Sequence, residues 1–211
     1  MNDPVYLALD VDGTLTTQNL SYQFGRFLYQ NKLISLPEAL LAGVIYGLHT
    51  FGLCSVSWLH RSLFALLFKG KSGGVIEEAA DRFLAASLPA LFREAVVQEV
   101  KARQRHGAIV GLFSSSPDFL VRRVAQAVGA QEWFATQYQL DSKGQFSRIG
   151  RIVSGKEKAD YVRQMGLQFL VAMSDSFLDV PLLLEADEAI VVCPDRRLAR
   201  LARLKGWRRI E

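Results

Sequence analysis

The stretch YLALDVDGTLTT, Tyr6 to Thr17, decides the fold. It begins as an apolar run of the kind found in buried parallel strands, and it ends in two aspartates spaced i and i+2 before a Gly-Thr turn. Two carboxylates this close repel each other, and burial at a strand end penalises the charge of each. The pattern therefore predicts either that a cation lies between Asp10 and Asp12 or that one of the two reacts.

Strands and helices alternate along the rest of the core. The apolar runs AIVGLF (108–113), FLVAM (169–173) and AIVVC (189–193) are typical of buried strands, and helical patterns separate them. The segment 134–150 predicts two short strands around an Asp-Ser-Lys-Gly turn. This alternation predicts an α/β fold with a Rossmann-like, doubly wound parallel sheet.

A block of helical patterns follows the first strand directly and continues to about residue 105. One crossover between parallel strands rarely needs so many helices. We therefore predict a core formed by residues 1–16 and 101–211, and an all-helical cap, residues 17–100, that lies over the strand ends.

The segment Ala39 to Leu59 carries no Asp, Glu, Lys or Arg and is long enough to span a bilayer. Glycines, serines and Thr50 interrupt its apolar character and favour two packed helices joined by a turn. We expect a buried helical hairpin, with a membrane-associated segment as the alternative.

The composition limits the class of protein and the kinds of partner that the sequence allows. Half of the residues are hydrophobic and 22% are charged, which is typical of a globular protein. The net charge of +4 comes largely from the basic segment 195–211, but Leu198, Leu201 and Leu204 recur there at i, i+3 and i+6. That spacing favours an amphipathic helix with a solvated basic face over a nucleic-acid-binding segment.

The cysteines and the first residues bear on localisation. Cys54 and Cys193 are the two cysteines, and their separation fits neither a disulfide framework nor a zinc site. Asp3 and Pro4 lead directly into the first strand without the pattern of a signal peptide. We expect a cytoplasmic protein.

Polar residues follow the predicted strands where each one ends, and ligands of open α/β sheets bind at that edge. A helix start with the pattern of a capping box, Ser154 and Glu157, brings two lysines to the same region. The candidate site residues are Asp10, Asp12 and Thr14 after the first strand, Ser114, Ser115 and Ser116 after the second, Lys156 and Lys158 at the helix start, and Ser174, Asp175 and Asp179 after FLVAM.

Oxygen ligands with few carboxylates are typical of Mg²⁺, which Asp10, Asp175 and a main-chain carbonyl at Asp12 can hold. Asp10 is placed to attack phosphorus and form an aspartyl-phosphate. Asp12 is placed to act as general acid towards the leaving oxygen and then as base towards water. The Ser114 hydroxyl, the Ser115 N–H and a lysine complete a set of groups that binds a phosphoryl group.

Each feature taken singly also has a purely structural interpretation. Paired aspartates form turns, and Ser116 before Pro117 and Asp118 is typical of a helix N-cap. A lysine such as Lys156 usually lies at the surface, and aspartates are favoured at helix starts. Their joint placement at successive strand ends is what favours a site.

The motifs DVDGTLT, LFSSSPD, GKEK and SDSFLDVPLL resemble, in order, the four motifs of the haloacid dehalogenase superfamily. The pattern is most similar to the phosphoserine-phosphatase-like branch, in which a helical cap follows the first motif. The resemblance implies that Asp10 is the nucleophile, Asp12 the acid/base, Ser114 a phosphate binder and Asp175 a magnesium ligand. It also implies that Asp179 supports the lysine or the waters of the metal.

Two positions depart from the family pattern or leave it ambiguous. Ser174 stands where family members usually have glycine, and GKEK allows either Lys156 or Lys158 to be the active-site lysine. The distance along the chain to Asp175 favours Lys156.

The resemblance implies an Mg²⁺-dependent phosphatase acting on a small phosphate ester, with no nucleic-acid partner. The alternatives are a phosphotransferase that uses the same intermediate, a non-catalytic phospho-ligand-binding protein and a membrane-associated protein.

Overall fold

The computed structural model of the protein describes residues 4–211. Residues 1–3, which include Asp3 and the start of the predicted core, lie outside that range. Within it, one seven-stranded sheet has the order β4-β3-β2-β1-β5-β6-β7. All neighbouring strands are parallel except β3 and β4. This confirms the predicted Rossmann-like α/β sheet. The strands are β1 Tyr6–Asp10, β2 Ile109–Pro117, β3 Glu132–Leu140, β4 Phe146–Arg151, β5 Leu170–Ser174, β6 Glu188–Val192 and β7 Arg208–Ile210.

Helices cover the sheet and fill the connection between β1 and β2. Five of them precede β2 in the chain, as the helical patterns predict. They are α1 Leu20–Gln30, α2 Leu36–Thr50, α3 Val56–Leu67, α4 Gly73–Leu91 and α5 Glu94–Arg105. The others are α6 Asp118–Val128, α7 Gly155–Met165, α8 Val180–Glu185 after a 3-10 turn at Phe177–Asp179, and α9 Arg196–Lys205.

Helix α5 runs through the predicted boundary at residue 100. Its Val96 and Val100 are buried in the same apolar cluster as Leu7 of β1 and Val110 of β2, so this helix packs on the sheet. The division into a cap of residues 17–100 and a core made of the rest stays a prediction.

Strand β1 lies in the middle of the sheet between β2 and β5, with all five residues buried. Helices on both sides of the sheet explain its continuous apolar character. In the register of the sheet, Asp10 lies opposite Phe113 of β2, and Leu9 lies opposite Met173 of β5. The next residues of those strands are Ser114 and Ser174, so the predicted polar residues meet at one edge.

The uncharged segment 39–59 forms a hairpin of α2 and α3, as predicted, but the hairpin is not buried. Ile45 is the one buried residue of α2, whereas Val44 is 58% exposed and Phe51, in the turn, is 83% exposed. The expectation of burial is wrong because α2 packs along one side only. Over residues 4–211, no helix has both the length and the apolar character needed to cross a membrane.

One smaller expectation is corrected, one is confirmed, and one strand was not predicted. Ser116 does not cap α6, because β2 continues to Pro117 and the Ser116 hydroxyl donates to Asp12. Helix α9 is amphipathic with an exposed basic face, as predicted; its buried residues are Leu198 and Ala202, spaced i and i+4, and Leu204 is 76% exposed. Strand β7 had no apolar pattern to predict it, since a short edge strand needs only main-chain pairing with β6.

Gly155, the first residue of α7, has no room for a side chain. A Cβ atom there would lie 1.8 Å from the carbonyl oxygen of Leu178. We expect Gly155→Ala to force α7 away from the 3-10 turn and to lower the free energy of unfolding by about 1–3 kcal/mol, the usual cost of overpacking. Denaturant unfolding measures this change.

Gly74→Ala is the matched control, because a Cβ there would meet nothing closer than the Ser72 hydroxyl at 3.8 Å. Gly74 is the second residue of α4, so we expect the control to be neutral or stabilising by up to about 1 kcal/mol. Equal unfolding midpoints for the two variants would contradict the steric argument.

Candidate active site

Asp10, at the carboxyl end of β1, is buried and forms an ion pair with Lys158. The Lys158 ammonium donates to Asp10 Oδ1 at 2.7 Å and to Asp179 Oδ2 at 2.7 Å. Its side chain is 2% exposed, so the two carboxylates replace the water that the ammonium has lost. The Ser174 hydroxyl also donates to Asp179 Oδ2, at 2.8 Å. One buried cation therefore joins β1, α7 and the turn after β5.

Lys158, and not Lys156, is the lysine beside Asp10, which corrects the preference drawn from chain distance. Residues two apart on a helix do not share a face, so only one of the two can point inwards. The buried residues of α7 are Gly155, Lys158, Ala159 and Val162, and Lys156 is exposed. These residues are spaced i, i+3, i+4 and i+7, so they lie on one face of the helix, and this pattern in the sequence already indicates Lys158 as the inward-facing lysine. Ser154 and Glu157 form the predicted capping box, in which Glu157 accepts from the Ser154 N–H at 3.0 Å.

Thr14 joins Asp10 to Asp175. Its hydroxyl oxygen lies 3.0 Å from Asp10 Oδ2 and 2.8 Å from Asp175 Oδ1, and it accepts from the Asp175 N–H at 2.8 Å. A hydroxyl has one proton, so it can donate to only one of the two carboxylates at a time. Gly13, with φ +89°, makes the approach possible, since a Cβ there would lie 2.3 Å from Asp175 Oδ2.

The site carries more negative than positive charge. Burial raises the pKa of Asp10 well above its usual range; Lys158 opposes this rise, and Asp179 and Asp175 add to it. Burial also raises the pKa of Asp175. Burial alone lowers the pKa of Lys158, but Asp10 and Asp179 outweigh it and hold that pKa above its ordinary value. Three carboxylates thus share one ammonium, and a further cation would relieve their repulsion.

Asp12 follows the end of β1 by two residues and accepts three hydrogen bonds. Its Oδ1 accepts from the N–H of Leu20, the first residue of α1, at 2.6 Å. Its Oδ2 accepts from the hydroxyls of Ser114 at 2.9 Å and Ser116 at 2.7 Å. The structure thus brings Ser114 to the site, with its hydroxyl directed at Asp12. Ser115 lines the adjoining cavity together with Asp10 and Asp12.

Sequence reasoning missed the contact between Ser116 and Ser21. Their hydroxyl oxygens lie 2.6 Å apart. When Ser116 donates its one proton to an ionised Asp12, Ser21 must donate to Ser116. Ser21 stands in α1, 95 positions before Ser116, and nothing in its local pattern distinguishes it from an ordinary helical serine.

A family model described as haloacid dehalogenase-like hydrolase matches residues 7–184 of the chain. The chain belongs to this family. The match begins in β1 and extends into α8, so it includes every candidate site residue, and it confirms the resemblance drawn from the four motifs. The protein is therefore a haloacid dehalogenase-like hydrolase.

Curated relatives of this hydrolase cover most of its length. It is 28% identical over 215 residues to a protein named phosphoserine phosphatase SerB1 from Mycobacterium tuberculosis, a match that covers 94% of this chain and 68% of the relative. It is 26% identical over 199 residues to protein CicA from Caulobacter vibrioides, covering 89% and 85% of the two chains.

Solved structures share the fold of this hydrolase. A protein of unknown function from Bordetella pertussis Tohama I superposes with a TM-score of 0.89 at 22% identity, covering 100% of this chain and 99% of that one. A substrate-bound phosphoserine phosphatase superposes with a TM-score of 0.71 at 16% identity, covering 95% and 91%. At these identities the likeness concerns the fold.

Lys158→Met tests the buried ion pair. Removing the ammonium leaves the carboxylates of Asp10 and Asp179 buried without an opposite charge. We expect the free energy of unfolding near pH 8 to fall by about 3–5 kcal/mol. The pKa of Asp10 is raised in the folded state, so the folded state binds a proton more readily than the unfolded one. Part of the lost stability should therefore return as the pH falls from about 8 towards about 5.

Lys156→Met is the control, since it removes an exposed ammonium from the same turn of α7. We expect its unfolding free energy to stay within about 0.5 kcal/mol of the parent at both pH values. Similar losses in the two variants would contradict the assignment of Lys158.

Proposed function

We propose that this hydrolase cleaves phosphate monoesters with the help of Mg²⁺, through an aspartyl-phosphate on Asp10. The observation that carries the proposal is the buried Asp10 carboxylate, held by Lys158 and Thr14 and lining a cavity together with Asp12. The names of two relatives support it. One is the phosphoserine phosphatase described above, and the other is a probable phosphatase from Mycobacterium tuberculosis. The second is 30% identical over 125 residues, a match that covers 56% of this chain and 43% of the relative.

The donor set fits Mg²⁺. No three His, Cys, Asp or Glu side chains between residues 4 and 211 are grouped to hold a metal by themselves. Mg²⁺ does not need such a group, because it keeps several waters and binds one or two carboxylates together with a substrate phosphate. Asp10 and Asp175, which meet on the Thr14 hydroxyl, and the main-chain carbonyl of Asp12 would hold the ion. When bound, it neutralises phosphate charge and the excess charge of the carboxylates.

The first chemical step forms a bond between a carboxylate oxygen of Asp10 and phosphorus and breaks the bond from phosphorus to the ester oxygen. Asp12 gives a proton to the leaving oxygen, which departs as the alcohol. The Ser114 hydroxyl, the Ser115 N–H and the Lys158 ammonium stabilise the charge on the transferring group. Ser114 donates to Asp12 in this structure, so its hydroxyl must rotate to reach a phosphoryl oxygen.

The second step returns the enzyme to its starting state. Asp12, now ionised, takes a proton from a water molecule, and the water oxygen bonds to phosphorus as the bond to Asp10 breaks. The products are inorganic phosphate and a free Asp10 carboxylate. Transfer to an alcohol instead of water would use the same intermediate.

Metal dependence is the first test. We expect hydrolysis of p-nitrophenyl phosphate in the presence of Mg²⁺, complete loss of activity in excess chelator, and recovery when Mg²⁺ is added back. The reason is that three carboxylates around a single ammonium repel a phosphate dianion. Initial rates before and after exhaustive chelation measure the effect. Undiminished activity in the chelator would refute the role of the metal.

Asp10→Asn and Asp12→Asn separate the two roles. An amide cannot form the acyl-phosphate, so Asp10→Asn should abolish turnover and leave no acid-stable label from a ³²P-phosphate ester. Asp12→Asn keeps the nucleophile but loses the proton donor, and we expect kcat to fall by about 10²–10⁴-fold. Steady-state rates and acid-quenched labelling measure the two effects.

Asp160→Asn serves as control, since Asp160 is half-exposed and pairs with Arg163 at the surface. It should retain parental rates. Near-normal turnover by Asp10→Asn would rule out the covalent mechanism.

A further inference from the structure

The candidate active site opens into a cavity of about 920 Å³, which is large for a small metabolite. Ligand pockets commonly measure about 300–1,000 Å³, and this one is near the upper limit. Asp10, Asp12 and Lys158 line it where the reaction would take place. Helices α1, α2 and α3 supply most of the remaining wall, so the cavity extends from the sheet edge into the helical block.

The wall contributed by the helical block is mainly apolar. Aliphatic and aromatic side chains from α2, α3 and the residues that follow α3 line it, together with a tyrosine from β3. They include Tyr46, Leu59, Leu63, Leu67, Phe68 and Tyr138. Such a wall gains free energy by removing apolar substrate surface from water, and it offers little to a polar amino-acid group.

The two histidines on this wall already have hydrogen-bond partners. His60 Nδ1 lies 3.2 Å from the Tyr138 hydroxyl, and His49 Nδ1 lies 3.1 Å from the Cys54 carbonyl oxygen. Burial lowers the pKa of His60 to about 4, so the ring is neutral at pH 7. Across residues 4–211, no buried side-chain nitrogen or oxygen lacks a hydrogen-bond partner.

Few charges are available to recognise a polar alcohol group. Beyond Asp10, Asp12, Lys158 and Asp179, the charged residues that line the cavity in the described part of the chain are Arg26 and Lys156. Both are exposed to solvent, so each would bind a carboxylate in competition with water. Beyond the candidate catalytic residues, the cavity therefore offers a substrate more apolar surface than charge.

Two helical glycines enlarge the cavity. Gly25 of α1 and Gly43 of α2 both line it, and a Cβ atom on either would meet no heavy atom within 4 Å. Glycine inside a helix lowers helix stability, and neither position needs glycine for its backbone conformation. What both glycines provide is space next to the apolar wall.

We propose that the substrate is a phosphate monoester whose alcohol carries an extended apolar group, and that this group lies in the cavity against α1, α2 and α3. The proposal rests on the proposed phosphatase function and specifies its substrate class. The phosphate lies at Asp10, and the apolar group extends away from the sheet edge. Each methylene buried in this way should raise kcat/KM by about two- to fourfold until the cavity is filled.

A series of n-alkyl phosphates from ethyl to decyl, kept below their critical micelle concentrations and assayed with Mg²⁺, tests the proposal. We expect kcat/KM to rise by at least about 10²-fold along the series and to exceed the value for phosphoserine. A flat or falling series, or a preference for phosphoserine, would overturn the proposal while leaving the phosphatase function intact. Failure to hydrolyse any ester, p-nitrophenyl phosphate included, would overturn the phosphatase function itself.

Gly43→Phe fills the cavity without touching the catalytic carboxylates. We expect it to lower the ratio of kcat/KM for octyl phosphate to that for ethyl phosphate by at least about tenfold, because the phenyl ring takes the space of the alkyl chain. The variant should fold, since nothing obstructs a Cβ there and the helix gains propensity. Its melting temperature checks this.

Gly47→Phe is the matched control on the same helix. A Cβ at Gly47 also meets nothing within 4 Å, but Gly47 does not line the cavity. We expect its octyl-to-ethyl ratio to equal that of the parent. An unchanged ratio in Gly43→Phe, or equal changes in the two variants, would overturn the placement of the apolar group.

Discussion

The buried ion pair of Lys158 with Asp10 and Asp179 is the interaction on which the rest of the site depends. An ammonium taken out of water is tolerated only where carboxylates and hydrogen bonds replace its hydration. Here the two carboxylates come from the end of β1 and from the turn after β5, and the lysine comes from α7. The tight packing of Gly155 against Leu178 holds α7 at the required distance. Ser174, where the family usually has glycine, adds a hydrogen bond to Asp179.

Asp12 connects the chemistry of the core to the helical block. Its carboxylate accepts from Ser114 and Ser116 of β2 and from the first N–H of α1. Ser21 of α1 reaches the same group through Ser116. A displacement of α1 would therefore change the hydrogen bonds of the proposed acid/base. This gives the helical block a physical means of influencing the reaction in addition to forming the cavity wall.

In helix α2, the apolar residues of the uncharged segment lie on two sides with different surroundings. One side of it lines the cavity, with Ala42, Gly43 and Tyr46, and the opposite side exposes Leu40 and Val44. A helix that is apolar all round usually has both sides buried, which is why the sequence suggested a buried hairpin or a membrane segment. The local pattern carried no information on which side faces the core and which faces solvent.

The sequence by itself determined the order of strands and helices apart from β7, the α/β class and most of the candidate site. Periodicity identifies elements, and the rule that strand ends share one edge brings Asp10, Asp12, Ser114 and Asp175 together. The spacing of the buried face of α7 could have identified Lys158 as the lysine beside Asp10. Tertiary structure alone decided that Ser116 bonds Asp12 from β2 instead of capping α6, and that Ser21 joins them. The physical reason is that local pattern sets the type of an element, whereas the partner that each face meets is set by residues distant in the chain.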